Sequence, residues 1–129
     1  MIKSNDYNFS FSGLKTSVLY YLRDNPNAKK EDVAASFQQA VIDVLVKKTI
    51  RAAEECKAKT ILLCGGVSAN KPLRETLHAS CLMLHKNFVV PDFKFNTDNA
   101  AMIGAAAYIN LLQKNKKRLK IEAQGNLTI

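Results

Sequence analysis

Tyr7, Phe9 and Phe11 alternate with Asn8, Ser10 and Ser12, the period-two spacing of a half-buried strand whose aromatics share one face. Ser12 and Gly13 break that pattern. Leu14, Val18, Leu19 and Leu22 then recur at helical spacing until Asp24, Asn25 and Pro26, which predicts a first helix of about three turns. From Lys30 to about Lys57 there is neither Gly nor Pro. Val33, Phe37, Val41, Val44, Leu45, Lys48 and Ala52 there form an apolar stripe with a polar back, which predicts the longest helix, packed on a sheet.

The spacing changes again at residues 60–64, Thr-Ile-Leu-Leu-Cys, a continuous apolar run that ends in Gly65 and Gly66. Such a run predicts a central parallel strand covered on both faces. Asn70 precedes Lys71, Pro72, Leu73, Leu77 and Leu82, so a helix is expected there with Pro in its first turn. Strand, glycine turn and helix make one crossover unit. A second short strand is expected around Phe88 to Val90. After Pro91 and Thr97-Asp98-Asn99, residues 100–112 read as an Ala-rich, buried helix. Residues 119–129 carry weak strand character. No internal repeat is present, and the whole reads as a single α/β domain over residues 1–129, with helices on a small, mainly parallel sheet and a basic tail over 114–129.

Composition narrows the class. With 47% hydrophobic and 23% charged residues the chain suits one globular core and is too apolar for a disordered segment. The longest apolar runs fall far short of the roughly 18 residues of a membrane span, and Met1 to Asn8 lacks the apolar region of a signal peptide, so no membrane association and a cytoplasmic location are expected. Three cysteines without a CxxC pair, and two histidines, His78 and His85, argue against a disulfide framework or zinc finger. The net charge of +8 suits a phosphate-bearing partner. Part of it lies in Lys114, Lys116, Lys117, Arg118 and Lys120, which read first as a solvated helix end and only second as an RNA contact.

Three segments could carry chemistry. In Cys64-Gly-Gly-Val-Ser-Ala-Asn70 a strand delivers two glycines to the sheet's carboxyl edge, where ligands of open α/β sheets bind. Gly65 and Gly66 would let the backbone approach a flat ligand, and the Asn70 amide could bond a ribose or base; a tight turn with Asn70 as helix cap is the competing reading. In Thr97-Asp98-Asn99 the Asp98 carboxylate at a helix start suits a metal, or else Thr97 is a plain cap with Asp98 in the first turn. Ser12 and Gly13 open a helix beside Lys15, an arrangement that fits an anion or merely a capped helix with a solvated lysine.

FSFSGLKT at residues 9–16, EDVAASFQQAVIDVLVKKT at 31–49, GGVSAN followed by LR at 65–74, and TDNAAMIGAAAY at 97–108 occur in this order in one family. Together they resemble the C-terminal half of TsaD and its archaeal and eukaryotic counterparts, the glycoprotease-like family. The resemblance implies a piece of the two-lobed fold shared by actin, sugar kinases and Hsp70. It also implies transfer of a threonylcarbamoyl group from threonylcarbamoyl-AMP to the adenosine beside the anticodon of ANN-reading tRNAs. The family's GGVxAN element contacts the nucleotide, which carries over Gly65, Gly66 and Asn70. Its TDN element supplies the aspartate of a site for one iron or zinc ion, which carries over Asp98; the separation of Asn70 and Asp98 is similar to the family's.

The resemblance also marks what this sequence lacks. Family members bring two metal-binding histidines in an HxxxH motif and a glycine-rich phosphate segment from an N-terminal half not represented here. His78 and His85 do not match that motif and are expected to be surface or packing residues. The chain is therefore expected to be part of a longer protein, to hold no complete catalytic set, and to bind metal weakly on Asp98 alone. Expected partners are threonylcarbamoyl-AMP or ATP, tRNA, and the other subunits of the threonylcarbamoyl transfer complex. Two alternatives stand beside this reading: the metal-dependent glycoprotein endopeptidase of the family's older name, and a non-catalytic interaction module of the same fold.

Overall fold

The computed structural model describes residues 2–113, and these divide into two compact units, one ending at Asn96 and one beginning at Thr97. In the first unit, α1 (Ser12–Asp24) and α2 (Lys30–Glu55) lead into β1 (Thr60–Leu62) and a 3-10 turn over Gly66–Ala69. Next come α3 (Lys71–Met83), β2 (Asn87–Val89) and a second 3-10 turn over Phe93–Phe95. The second unit contains α4 (Ala100–Leu112). The basic cluster at 114–120 and the expected strand character of 119–129 lie outside the described residues.

Helix boundaries follow local chemistry. The N–H of Asn25 and its side-chain amide both donate to Tyr21 O at the end of α1, and Pro26 cannot continue the ladder. Glu31 and Asp32 sit in the first turn of α2, where the helix dipole favours negative charge. Both α2 and α3 end in a left-handed residue, Lys57 with φ 53° and His85 with φ 50°. The following amides reach back into the helix, Ala58 N to Ala53 O and Lys86 N to Cys81 O, which satisfies carbonyls that would otherwise be orphaned. Lys86 Nζ donates to Ala58 O at 2.7 Å and Ala53 O at 3.2 Å, so the residue that opens the approach to β2 also caps the end of α2.

The two strands are parallel, with Thr60 opposite Asn87, Ile61 opposite Phe88 and Leu62 opposite Val89; α3 is their crossover. Helices α2 and α3 cover one face. Ile42, Leu73 and Leu77 form one cluster and Ala53, Ile61 and Cys81 another, with Phe88 packed against both. Burying each of the three larger side chains of the first cluster contributes about 2 kcal/mol. The α/β class and the small parallel sheet agree with expectation, but β1 is not a central strand covered on both faces. It has one strand neighbour among the described residues, Ile61 is buried, and Leu62 is 63% exposed. The apolar run reflects a second face that nothing described here covers.

Two other expectations are corrected. Residues 7–10 form no strand; the period-two alternation is present, but what holds this segment and the residues just before it is a pair of α2 side chains on backbone carbonyls in place of a strand. Lys48 Nζ donates to Asn8 O at 2.7 Å, and Arg51 donates to Ser4 O at 3.0 Å and Asp6 O at 2.5 Å. The rings of Phe9 and Tyr7 lie beneath Lys48 and Arg51 respectively. Helix α4 has the expected bounds yet buries none of its residues, since the described residues of its own unit supply no second layer for it to pack on.

Candidate functional site

Leu63 N still donates to Val89 O as the chain leaves β1, and the backbone then turns sharply at Gly65, with φ 84° and ψ 174°. A side chain is strained at that φ, so the position calls for glycine. At Gly66 the backbone does not demand glycine. Space for a Cβ is open at both. Both glycines are exposed, which leaves room at the carboxyl edge of the sheet for a ligand to meet the backbone.

Beneath the glycines the turn is held from inside. Ser68 is fully buried; its N–H and its hydroxyl both donate to Gly65 O, at 3.0 and 2.6 Å. Its Oγ also lies 2.8 Å from the side-chain amide of Asn96, which is 3% exposed. Arg74 donates from Nε to Ser68 O and from Nη2 to Pro91 O at 3.3 Å, tying α3 to the loop after β2. The serine three residues after Gly65 was a readable signal, because Ser commonly bonds backbone in turns. Asn96 gave none, since its partner is distant in sequence.

Asn70 is the cap of α3: its Oδ1 accepts from Leu73 N at 3.0 Å, and its Nδ2 donates to Gln38 Oε1 at 3.0 Å. The capping reading of this residue is thus what the structure contains. A carboxamide has two lone pairs and two N–H bonds, so one of each remains for a ligand. The structure brings Asn70 and the two glycines onto one turn. Beside Asn70 a cavity of about 270 Å³ opens between Val67, Leu73 and the Phe37, Val41 and Leu45 face of α2, but the glycines do not line it.

Asp98 belongs to the second unit. It precedes α4, whose cap is Asn99 and not Thr97: Asn99 Oδ1 accepts from Met102 N at 2.8 Å and Asn99 Nδ2 donates to Thr97 O at 2.9 Å. Asp98 is exposed and makes no ion pair or hydrogen bond among the described residues, so its carboxylate is available as one donor to a cation. No group of three His, Cys, Asp or Glu that could hold a metal is found among the described residues, so the donor set is not complete within them. His78 stacks on Phe88, with ring centroids 5.7 Å apart, as a packing residue, and His85 holds the left-handed end of α3. At Ser12, α1 starts without a side-chain cap, and Lys15 is exposed with no second feature beside it. No described helix is long and apolar enough to cross a membrane.

The family model described as TsaD, tRNA N6-adenosine threonylcarbamoyltransferase, matches residues 1–105. The chain belongs to the TsaD family. It is 50% identical over 111 residues to a protein of Caldicellulosiruptor saccharolyticus named tRNA N6-adenosine threonylcarbamoyltransferase, an alignment covering 83% of this chain and 33% of that protein. Proteins of the same name from Thermosipho africanus and Halalkalibacterium halodurans are each 45% identical, with 100% and 99% of this chain covered and 40% and 38% of theirs. The chain thus spans about a third to two-fifths of the length of these TsaD relatives.

Proposed function

We propose that this chain forms part of a tRNA threonylcarbamoyltransferase that moves threonylcarbamoyl from threonylcarbamoyl-AMP to the adenosine beside the anticodon of ANN-reading tRNAs. The supporting observation is the open Gly65-Gly66 turn at the carboxyl edge of β1, in a chain of the TsaD family. Gly65 and Gly66 let the backbone approach the adenine nucleotide, and Asn70 offers its remaining N–H and lone pair to the ribose or base. Asp98 gives one carboxylate to a single iron or zinc ion, with histidines from a segment that this chain does not contain completing the coordination. Bound there, the ion would supply positive charge and Lewis acidity.

In this reading the excess of basic residues favours the tRNA backbone electrostatically. The remaining part of the enzyme and the other subunits of the transfer complex are its protein partners, and the cytoplasm is its location. Transfer itself needs groups positioned by the rest of the protein, so the chain alone binds without turning over.

Calorimetry with AMP and with a divalent metal, on this chain and on the longer protein that contains it, tests the assignment. Extending the chain should raise metal affinity far more than AMP affinity, and Asp98→Ala should weaken metal binding far more in the longer protein than in this chain alone. Equal loss in both forms, or transfer by the isolated chain, would overturn it.

A further inference from the structure

Two acceptors compete for one hydroxyl proton beneath the glycine turn. Ser68 Oγ lies 2.6 Å from Gly65 O and 2.8 Å from the oxygen position of the Asn96 amide, both of which are acceptors. A hydroxyl has one proton and cannot donate to both. At the same time the amide nitrogen of Asn96 is buried without a partner. Turning the amide over exchanges N and O, positions that differ little in shape. Asn96 Nδ2 then donates to Ser68 Oγ, and Ser68 Oγ donates to Gly65 O. One rotation removes the competition and gives the buried amide N–H a partner, leaving the amide oxygen in the unpartnered position, and it aligns the two bonds head to tail.

We infer that Asn96 and Ser68 are positioning residues that hold the Gly65 carbonyl, so that the Gly65-Gly66 backbone keeps the shape in which it meets an adenine nucleotide. The inference rests on the nucleotide reading of this turn. Neither side chain needs to touch the ligand. Ser68 is fully buried and Asn96 almost so, and they act through the Gly65 carbonyl, fixing the peptide plane between Gly65 and Gly66 and with it the direction of the Gly66 N–H. Arg74 on Ser68 O holds the other side of the same serine.

The direction of the proton makes the prediction specific. Ser68→Ala deletes the side-chain donor to Gly65 O and leaves only the backbone N–H of residue 68 on it. Asn96→Asp, nearly isosteric, offers an acceptor in place of a donor once it is ionised, which pH 8 favours. The carboxylate takes the Ser68 proton away from Gly65 O. Asn96→Ala removes the upstream donor but leaves the Ser68 bond to Gly65 O without a competitor. The ordering expected is therefore Ser68→Ala and Asn96→Asp strong, Asn96→Ala weak.

The test is a glycine-selective 15N spectrum of the protein with and without AMP, alongside thermal melting. Ser68→Ala and Asn96→Asp should move the Gly65 and Gly66 amide resonances while leaving Gly13 and Gly104 in place, and should weaken AMP binding about fivefold, the scale of one lost hydrogen bond. Asn96→Ala should change AMP affinity less than twofold. Unmoved Gly65 and Gly66 signals in Ser68→Ala would overturn the inference, as would Asn96→Asp behaving like wild type or AMP affinity unchanged by displaced glycines. Failure of AMP to perturb the wild-type glycines would instead overturn the nucleotide reading, and the ligand-free spectra would still decide whether the pair sets the turn. If Ser68→Ala does not fold, the contrast between Asn96→Asp and Asn96→Ala carries the decision.

Discussion

Lys48 Nζ lies 2.9 Å from Asp6 Oδ1, with the lysine side chain almost completely covered and the aspartate half exposed. The same ammonium donates to Ser4 Oγ at 2.9 Å and to Asn8 O at 2.7 Å, so its three protons are all used. A lysine in the apolar stripe of α2 thereby anchors the segment before α1. Lys48→Ala should destabilise the fold by about 2 kcal/mol, through the lost packing of a buried stem and the release of that segment. Chemical denaturation reads this directly.

The bond from Lys48, followed by that from Ser4, holds the Asp6 carboxyl below the ordinary carboxylate range. A carboxyl whose pKa is lower folded than unfolded adds stability above the unfolded value of about 4, and this is lost as pH falls through the folded value. Thermal melts of wild type and Asp6→Asn should differ near neutrality and converge in acid. Parallel melting curves across that range would show that the pair contributes nothing.

The two glycines of the candidate site separate backbone demand from ligand space. Gly65→Ala forces a side chain into a positive φ and should cost about 1–2 kcal/mol of stability. Gly66→Ala meets open space and an ordinary φ, so stability should stay within about 0.5 kcal/mol while AMP affinity falls. Loss of stability without loss of affinity in Gly66→Ala would contradict the proposed approach of the ligand.

Asn70 has a capping role and a proposed binding role, and one substitution distinguishes them. Asn70→Ala should lose about 1 kcal/mol of stability together with nucleotide binding. Asn70→Asp keeps the cap acceptor for Leu73 N but loses the amide N–H, so it should retain most stability and still bind AMP poorly. Denaturation and calorimetry on the two variants provide both readouts.

Cysteine reactivity should divide the three thiols. Cys81 is buried, and burial pushes its thiol pKa up, which lowers the thiolate fraction at pH 8; Cys56 and Cys64 are exposed. A disulfide reagent should label two sites quickly and the third only on unfolding. Rapid reaction at all three would mean that the α3 core opens readily.

The four helices and both strands were legible because their signals are local: Pro26 ends α1, the Gly- and Pro-free stretch sets α2, and Asn70 and Pro72 start α3. Residues 7–10 were misread because alternation specifies a face, not a partner, and here the partner is a pair of cations on α2. That Lys48 interrupts an apolar stripe was the available sign. The covered or uncovered state of Leu62 and of α4 depends on which surface lies opposite, which no spacing within a segment encodes. At the site, Gly65, Gly66 and Asn70 were readable as a turn before a helix, whereas Asn96 was reachable only through the fold.

A ladder of three residue pairs offers few hydrogen bonds and few side chains with which to choose its own alignment. The ends of α2 and α3 take over that choice. Lys57 and His85 reverse the chain in the same way at both helix ends, and Lys86 grips Ala53 O in the last turn of α2 and Ala58 O just beyond it while its own strand is about to begin. Thr60 and Asn87 consequently start side by side, a helix-set offset that the strands inherit. The position of the glycine turn at the far end of β1 is thus gauged from the opposite end of the sheet, and a slip at Lys86 would be felt at Gly65.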